Sequence, residues 1–454
     1  MTENMGTRAP ALKRTLGLGG VVIIGIAWVT PLIVLATIGI IAQLSSGAAP
    51  TAYLITLVAM LFTAYSYGRM ASVHYRTAGS AYTYVGREMG PRLGFLTGWL
   101  ILLDYFFIPL VVWLIGAAYL SAQFPGVPAA VWILAFILVT TILNVIGIKV
   151  TANANYLLVA FQLLVLGIFV ALSIGYFVGG ETDATLASPF AGQDLTLAAL
   201  AAGAAVAAYS FIGFDGLTLL SEETHDPART IPRAMIIVVL FFGVLFVTVS
   251  YFAQLVHPGG TFDDVNSAAL ELARDIGGNL FSSILLAGLI VGQFASGLAI
   301  QAGAARLLFA MGRDGVLPRP LSYVLPRLRT PAVSITLIGI AGLGALFLDV
   351  TTSTSFINFG AFSAFTLVNL SVIAYFVRHR PGRGAGAVLG WIVVPLAGAA
   401  IDLYLLLNLD GTAKLIGLAW LALGILWLAW LTRGFRQAPP QLTIDEAATA
   451  DERS

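Results

Sequence analysis

The sequence predicts an all-α integral membrane protein with twelve membrane-spanning helices. Of its 454 residues, 59% are hydrophobic and only 10% are charged, whereas soluble domains average about 45–50% and about 25%. The apolar residues fall in stretches of about 20, the length that a helix needs to cross a bilayer. The basic residues fall almost entirely in alternate connecting segments. A soluble enzyme is therefore excluded.

The apolar stretches define the spans, which are numbered in chain order from here on. None of them alternates polar and apolar residues as the strands of a membrane barrel do. The twelve predicted spans are 18–44, 51–70, 92–121, 129–147, 153–178, 196–221, 232–256, 279–309, 331–349, 353–377, 388–408 and 413–432.

The basic residues predict the orientation of the chain. If the N-terminus is cytoplasmic, Arg274 and Lys414 are the only two of the 23 Lys and Arg residues that fall in the outer segments. This bias follows the positive-inside rule. We therefore expect a multi-pass protein of the cell membrane with both termini in the cytoplasm.

Composition also excludes several kinds of chemistry. The chain has no Cys, four His and a net charge of +1. Thiolate metal sites, disulfides and a strongly basic nucleic-acid surface are thereby excluded. No motif for a metalloprotease, a serine hydrolase or a phosphate-binding loop occurs. We expect no cofactor, no metal, no nucleic-acid partner and no enzymatic activity.

Two spans carry helix-breaking residues at matching places. Span 1 contains Pro31 after Trp28-Val29-Thr30, and span 6 contains Gly213 and Gly216 around Asp215. Each of these spans opens a block of five, and an odd number of spans inverts the second block. Paired interruptions of this kind indicate the binding site of a secondary transporter, although glycine also serves close helix packing.

Longer motifs resemble the amino acid–polyamine–organocation transporter superfamily, and within it the bacterial putrescine importers. They cover nearly the whole chain apart from its two tails. The matching runs are Ala78–Tyr84, Gly94–Trp99, Leu103–Tyr105, Ser210–Thr224, Ile231–Ala234, Met311–Gly315, Arg329–Ala332, Ile357–Ala361 and Phe365–Ser371.

The resemblance implies two inverted five-helix repeats with broken spans 1 and 6. It also implies alternating access around a central site bordered by spans 1, 3, 6, 8 and 10, and coupling to protons or exchange. The predicted units are an N-terminal tail (1–17), repeats at 18–178 and 196–377, two additional helices (388–432) and a disordered cytoplasmic tail (433–454).

The loop that interrupts span 1 bears on the substrate. Amino-acid carriers of this superfamily hold the substrate carboxylate on free N–H groups of a small-residue loop. Here Trp28 is bulky and Pro31 has no N–H. A substrate without a carboxylate is therefore favoured.

Acidic residues point to a cationic substrate. A carboxylate near mid-bilayer costs at least about 2.5–3.5 kcal/mol, so Asp215 is interpreted as an ammonium partner or a proton carrier. The alternative is that Asp215 is protonated and forms a hydrogen bond to a neighbouring helix. Asp104, with Tyr105 beside it, is either a second site carboxylate or an interhelical partner. Asp402 in span 11 is expected to be structural.

Further candidates surround the two breaks. Glu222 and Glu223 either gate the inner end and contact an ammonium or pair with Arg229 or Arg233. Aromatic rings attract cations, so Trp28, Tyr209 and Phe214 are candidate contacts, with packing as the alternative. The remaining substrate and gating candidates are Thr30, Ser210 and Tyr209, and the weaker ones are Gln162, Gln293 and Ser296. Trp391 and Tyr404 are interpreted as membrane-interface residues.

Two positions depart from the family pattern. Gln162 stands where many proton-coupled members carry a Lys, and Ala36 stands where the putrescine importers carry an Asp. The first leaves the coupling ion open, and the second strengthens the case for a monoamine or a cationic amino acid. The sequence thus predicts a secondary transporter that imports a small organic amine, putrescine first, with H⁺ as coupling ion. An amino-acid permease or exchanger is the alternative, and the oligomeric state is not predicted.

Overall fold

The computed structural model describes residues 14–74, 81–147, 152–192 and 195–440. The side chains of residues 152–155 and Glu222 are outside this description, as are residues 78–80 of one family motif and most of both predicted tails. The regular secondary structure of the described residues is helical, apart from one isolated β-bridge between Leu16 and Thr224.

Eleven helices of the described chain are long and apolar enough to cross a membrane, and a shorter apolar helix at Ala332–Leu346 occupies the place of span 9. The twelve predicted spans are thereby confirmed. The unbroken spans are span 2 (Ala49–Val73), span 3 (Pro91–Gln123), span 4 (Ala129–Ile146), span 5 (Ala152–Val178), span 7 (Pro227–Val256), span 10 (Val350–His379) and span 12 (Gly411–Leu431).

The other spans are irregular. Span 8 lies within Ala268–Arg313, which turns sharply at Gly278, where φ is +63°. Span 9 is an α-helix over Ala332–Gly342 that tightens into a 3₁₀ turn, and span 11 carries a π-helical turn at Leu389–Val393 before it continues to Leu407. A separate helix, Ala81–Met89, connects spans 2 and 3 and is called the loop helix below.

Both predicted interruptions are present. Span 1 is helical over Leu18–Trp28 and resumes as Ile33–Ala36 and Ile38–Leu44. Span 6 is helical over Leu197–Ala207, then a 3₁₀ turn to Phe211, a break, and a 3₁₀ helix over Asp215–Glu222. Runs of 3₁₀ helix longer than three or four residues are uncommon, and the eight residues of Asp215–Glu222 exceed that length.

Two other helices bond carbonyl groups near the end of the first half of span 6. Thr56 of span 2 donates to the carbonyl oxygen of Ala204 over 2.9 Å, and Asn358 of span 10 donates to that of Ala205 over 2.6 Å. Unpaired backbone groups cost several kcal/mol in an apolar interior. These two side chains therefore hold the end of the first half-helix at its place between spans 2 and 10.

Asp402 has the structural environment that the sequence predicts. Its Oδ2 accepts hydrogen bonds from Thr63 over 2.9 Å and from Asn369 over 3.0 Å. The carboxyl group is fully buried and joins span 11 to spans 2 and 10. Because it lies away from both breaks in the chain, it anchors the additional helices to the rest of the bundle.

Candidate functional site

The two interruptions face each other. Gly213 adopts a φ of +115°, and a Cβ atom at this position would lie 3.5 Å from the carbonyl oxygen of Trp28. The Trp28 ring packs over Gly216, where a Cβ would lie 3.0 Å from ring atom Cζ3. Gly213 thus adopts a backbone conformation that other residues rarely take, beside the backbone of the other break, and Trp28 covers this region while remaining 42% exposed.

Gln162 of span 5 forms a hydrogen bond with the backbone at the break in span 1. Its Oε1 accepts a hydrogen bond from the backbone N–H of Leu32 over 3.2 Å. Leu32 opens the second half of the span directly after Pro31, so its N–H has no carbonyl one turn earlier to bond. A side chain considered a weak candidate from the sequence is therefore part of the framework of the site.

Span 8 closes the same region from a third side. Thr30 and Ser296 share a hydrogen bond of 3.2 Å between their hydroxyl groups. Gly292 faces the Gln162 amide, since a Cβ there would lie 3.5 Å from Nε2, and Gly288 faces Leu32 in the same way. Gln293 is buried beside them. The small residues thus bring spans 5 and 8 against the break in span 1.

Most backbone N–H groups at the break in span 1 already have acceptors. The N–H of Val29 bonds Gly25, that of Ile33 bonds Thr30, and that of Leu32 bonds Gln162. Pro31 has none. The N–H groups of Thr30 and Val34 have no hydrogen-bond acceptor within the described chain, so few donors are left for a substrate carboxylate.

The acid at the break in span 6 lies close to the backbone of that break. The Asp215 carboxyl group lies near the backbone N–H groups of Gly213, Asp215 and Gly216. Half-helix N-termini attract anions, and here Asp215 supplies the anion. Its side chain keeps intermediate exposure.

Asp104 brings a second acid to the site. It is 8% exposed, and its Oδ1 has no hydrogen-bond partner within the described chain. Asp104 and Asp215 interact electrostatically, and each also interacts with Tyr67 and Tyr105. Spans 2, 3 and 6 therefore place two carboxyl groups and two phenols around one point.

Gly360 allows span 10 to pack closely against span 3 at Asp104. A Cβ at this position would lie 2.8 Å from Oδ1 of Asp104 and 2.6 Å from the carbonyl oxygen of Leu100. Both are closer than a real Cβ contact, so only glycine fits. Tyr67 and Gly360 were not selected from the sequence, although Gly360 lies in one of the quoted family motifs.

The aromatic candidates divide into two groups. Trp28 covers the break, whereas Phe214 is only 1% exposed and packs against Tyr67 and Phe365, with ring centroids 6.2 Å and 5.6 Å apart. Tyr209 is buried at 7% exposure, and Ser210 shares a hydrogen bond of 3.2 Å with Tyr53. Direct contact of these buried side chains with a substrate stays a prediction.

The acidic end of span 6 contacts the chain before span 1. The carbonyl oxygen of Glu223 accepts the N–H groups of Thr15 and Leu16, each over 2.9 Å. The carboxylate that pairs with Arg229 in the structure is that of Asp226, over 3.8 Å. The side chain of Glu222 lies outside the described residues, so the gating role of Glu222 and Glu223 stays a prediction.

One interpretation of the sequence is wrong. Trp391 is not a membrane-interface residue, since it is only 8% exposed and lies between the Arg69 guanidinium and the Tyr375 ring. The 39% exposure of Tyr404 leaves it free to meet the membrane.

The comparison with known families matches this architecture. The model of the amino acid permease family aligns with residues 20–409 of the chain. The chain belongs to the amino acid permease family. Together with the twelve spans and the two broken helices, this makes it a multi-pass membrane transporter of the amino acid–polyamine–organocation superfamily, with a small-molecule substrate.

Relatives with curated descriptions are aligned over almost their whole length. This permease is 38% identical over 448 residues to the low-affinity putrescine importer PlaP of Escherichia coli (strain K12), covering 97% of this chain and 99% of the relative. It is 28% identical over 437 residues to the branched-chain amino acid permease BcaP of Bacillus subtilis (strain 168), covering 91% and 92%. It is 27% identical over 449 residues to the methylthioribose transporter of the same organism, covering 94% and 95%.

Proposed function

We propose that this permease imports a small organic amine, with putrescine as the first candidate, across the cell membrane. The observation that carries the proposal is the use of the N–H groups at both breaks. Gln162 accepts the N–H of Leu32, and the Asp215 carboxyl group lies beside the N–H groups of span 6. A substrate carboxylate finds few donors here, whereas an ammonium group finds the carboxyl groups of Asp104 and Asp215.

The surrounding groups suit an ammonium ion. Tyr67 and Tyr105 supply phenol oxygens as acceptors and ring faces for cation–π attraction, which is worth about 0.5–2 kcal/mol. The 38% identity to a protein described as a putrescine importer supports the same substrate class. The resemblance to putrescine importers leads us to expect an Asp at position 36, where this chain has Ala36. The site therefore has one acid fewer for a second ammonium group.

The outer connecting segments add long-range attraction for cations. With the orientation that the basic residues predict, the outer side carries Arg274 and Lys414 against a larger set of acids. The described acids of these segments are Glu181, Asp183, Asp263, Asp264, Glu271, Asp275, Asp349 and Asp410. An excess of one charge raises the local concentration of the opposite ion.

Proton coupling and alternating access belong to the same proposal. Neutral Gln162 carries no proton, so the coupling proton resides on Asp215. A carboxylate in a low-dielectric site needs a proton or a cation as partner, so arrival of the ammonium group and departure of the proton are linked. The breaks in spans 1 and 6 are the hinges at which the two sides open in turn.

The test is uptake of labelled putrescine by purified protein in liposomes under an imposed pH gradient. We expect unlabelled putrescine to compete and zwitterionic amino acids not to compete. Uptake that ignores the gradient contradicts the coupling part alone.

An amino-acid permease is the second candidate, supported by the likeness to BcaP. Competition by neutral or cationic amino acids without competition by putrescine favours this candidate and rejects the amine.

A further inference from the structure

A groove opens on the surface of the bundle between spans 4 and 9, two spans that contribute no residue to the candidate site. It has a volume of about 330 Å³, and leucine and isoleucine side chains line most of it. Leu138 and Ile340 are exposed along it, and its hydroxyl groups are those of Thr141 and Thr336. A polar ligand needs several well-placed polar groups. The groove therefore suits an aliphatic chain.

The floor of the groove is held from behind by span 8. Gln301 donates to Oγ1 of Thr141 in span 4 over 2.9 Å and to the carbonyl oxygen of Ile335 in span 9 over 3.3 Å. It also accepts a hydrogen bond of 2.9 Å from Asn144. Gly339 brings the two walls together, since a Cβ there would lie 2.8 Å from Oγ1 of Thr141. The groove is thus a fixed feature of the fold.

The groove runs along the two helices toward the start of span 9. Spans 4 and 9 are antiparallel, because Thr141 faces Gly339 and, one turn farther along span 4, Val145 accepts a hydrogen bond of 2.8 Å from Thr330. From Leu134 to Val145 a helix rises about 16 Å. This length is roughly half of the hydrocarbon core of a bilayer, which is about 30 Å thick. An acyl chain of one leaflet therefore fits along it.

An unbalanced positive charge lies at this end of the groove. Residues 315–331, called the basic loop below, connect spans 8 and 9 and contain Arg319, Arg327 and Arg329 but no Asp or Glu. All three arginines are exposed. In the loop helix, by contrast, Arg87 is followed directly by Glu88. The basic loop therefore attracts an anion that the loop itself does not supply.

Two of these arginines lie beside the end of the groove. Arg327 and Arg329 directly precede Thr330, which bonds the end of span 4, and the N–H of Arg329 donates to the carbonyl oxygen of Leu325 over 2.8 Å to close a turn. Leu328 of the same turn is exposed. Exposed apolar and basic side chains next to each other are typical of a segment at the membrane–water interface. The two guanidinium groups thus belong at the level of the lipid headgroups.

We propose that the groove is a binding site for an anionic phospholipid, with one acyl chain between spans 4 and 9 and the headgroup phosphate on Arg327 and Arg329. Guanidinium groups pair with phosphate through two parallel hydrogen bonds. An anionic headgroup is preferred because the ammonium group of a zwitterionic one would meet the same positive charges. The site does not depend on which substrate is carried.

The test measures which lipid lies beside the groove. The chain contains no Cys, so a fluorophore on Ile142→Cys gives a signal from one position. Ile142 is 46% exposed and lies one turn beyond Leu138 on the same face of span 4. The full-length protein is placed in phosphatidylcholine vesicles with increasing fractions of phosphatidylglycerol whose acyl chains are brominated, so that contact quenches the fluorophore.

The matched control position is Ile174→Cys in span 5. Ile174 is 44% exposed and, like Ile142, lies four residues before the end of its helix. We expect half-maximal quenching at Ile142 at a phosphatidylglycerol fraction at least about fivefold lower than at Ile174. Brominated phosphatidylcholine should quench the two positions alike. Equal responses to phosphatidylglycerol at the two positions overturn the proposal.

Two pairs of variants separate the headgroup contact from general attraction. Arg327→Gln combined with Arg329→Gln should bring the phosphatidylglycerol response at Ile142 to that of the control position. Arg380→Gln combined with Arg383→Gln removes the same charge from another exposed loop and should leave the response unchanged. Equal effects of the two double variants contradict a specific headgroup site.

The groove itself is tested by filling it. Thr336→Phe places a ring in the groove and should weaken the response at Ile142, whereas Leu337→Phe, on the next residue outside the lining, should not. Absence of quenching at Ile142 by either brominated lipid means that a second copy of the chain covers the groove, and this result also rejects the lipid site.

Discussion

Gln162 accepts the N–H of Leu32 over 3.2 Å, one residue after the proline that breaks span 1. The bond joins span 5 to span 1 at the break, where the backbone of span 1 lacks its regular helical hydrogen bonds. A lysine at this position, as in many related proton-coupled carriers, would be unable to accept it, because an ammonium group only donates. The hydrogen bonding at this break therefore differs from that in carriers with a lysine at this position.

Removal of this acceptor tests the arrangement. Gln162→Met keeps the length of the side chain and leaves the buried N–H of Leu32 without a partner, which costs about 1–3 kcal/mol. We expect a lower unfolding temperature in detergent, measured by differential scanning fluorimetry. Gln293→Met is the matched control, because it makes the same exchange at a buried glutamine that has no hydrogen bond within the described chain. Equal unfolding temperatures for Gln162→Met and the parent would show that the bond contributes nothing.

Asp215 carries the proposed contact with the ammonium group. Asp215→Asn keeps the shape but removes the charge, and we expect uptake of labelled putrescine to fall at least about tenfold, equivalent to about 1.4 kcal/mol. Asp402→Asn is the control, since it makes the same exchange at a buried acid outside the breaks. Uptake that persists in Asp215→Asn removes this residue from the mechanism.

Gly360 decides how close span 10 comes to Asp104. Gly360→Ala places a Cβ 2.8 Å from Oδ1 of Asp104 and 2.6 Å from a backbone carbonyl, so the helices must separate. We expect weaker putrescine binding, measured by calorimetry on purified protein. Gly303→Ala in span 8 is the control, because its Cβ would meet nothing within 4 Å. Equal affinities in the two variants would mean that the Asp104 contact is not needed.

Asp402 anchors span 11 through two hydrogen bonds. Asp402→Ala leaves Thr63 and Asn369 without their acceptor in a fully buried place, at a cost of about 1–3 kcal/mol. We expect a lower unfolding temperature with an unchanged KM for transport in the molecules that remain folded. Asp402→Asn restores an acceptor oxygen and should recover most of the loss. A changed KM would move Asp402 from the framework to the site.

Much of this architecture could be predicted because the thickness of the bilayer and the absence of water inside it limit which sequences can form a span. The twelve spans and the breaks at Pro31 and at Gly213 follow from apolar run length and helix-breaking residues. The division into two repeats and two tails, and the cytoplasmic side of both termini, stay predictions.

The side-chain pairings could not be predicted. Trp391 looks like an interface residue in sequence, yet it lies between Arg69 and Tyr375 because span 11 packs against spans 2 and 10. Similarly, Gly360 and Asp104 lie far apart in the chain and meet only because spans 3 and 10 touch.

By itself, the sequence determined the number of spans, the two places where helices break and the acid at one of them, because each depends on the chemistry of neighbouring residues. Only the tertiary structure decided that Gln162 accepts an N–H group at the break in span 1, that Asp104 lies near Asp215, and that His74 and His379 share Glu88. These relationships depend on which helix faces meet, and helix packing is set by the fit of many side chains together, which no local pattern records.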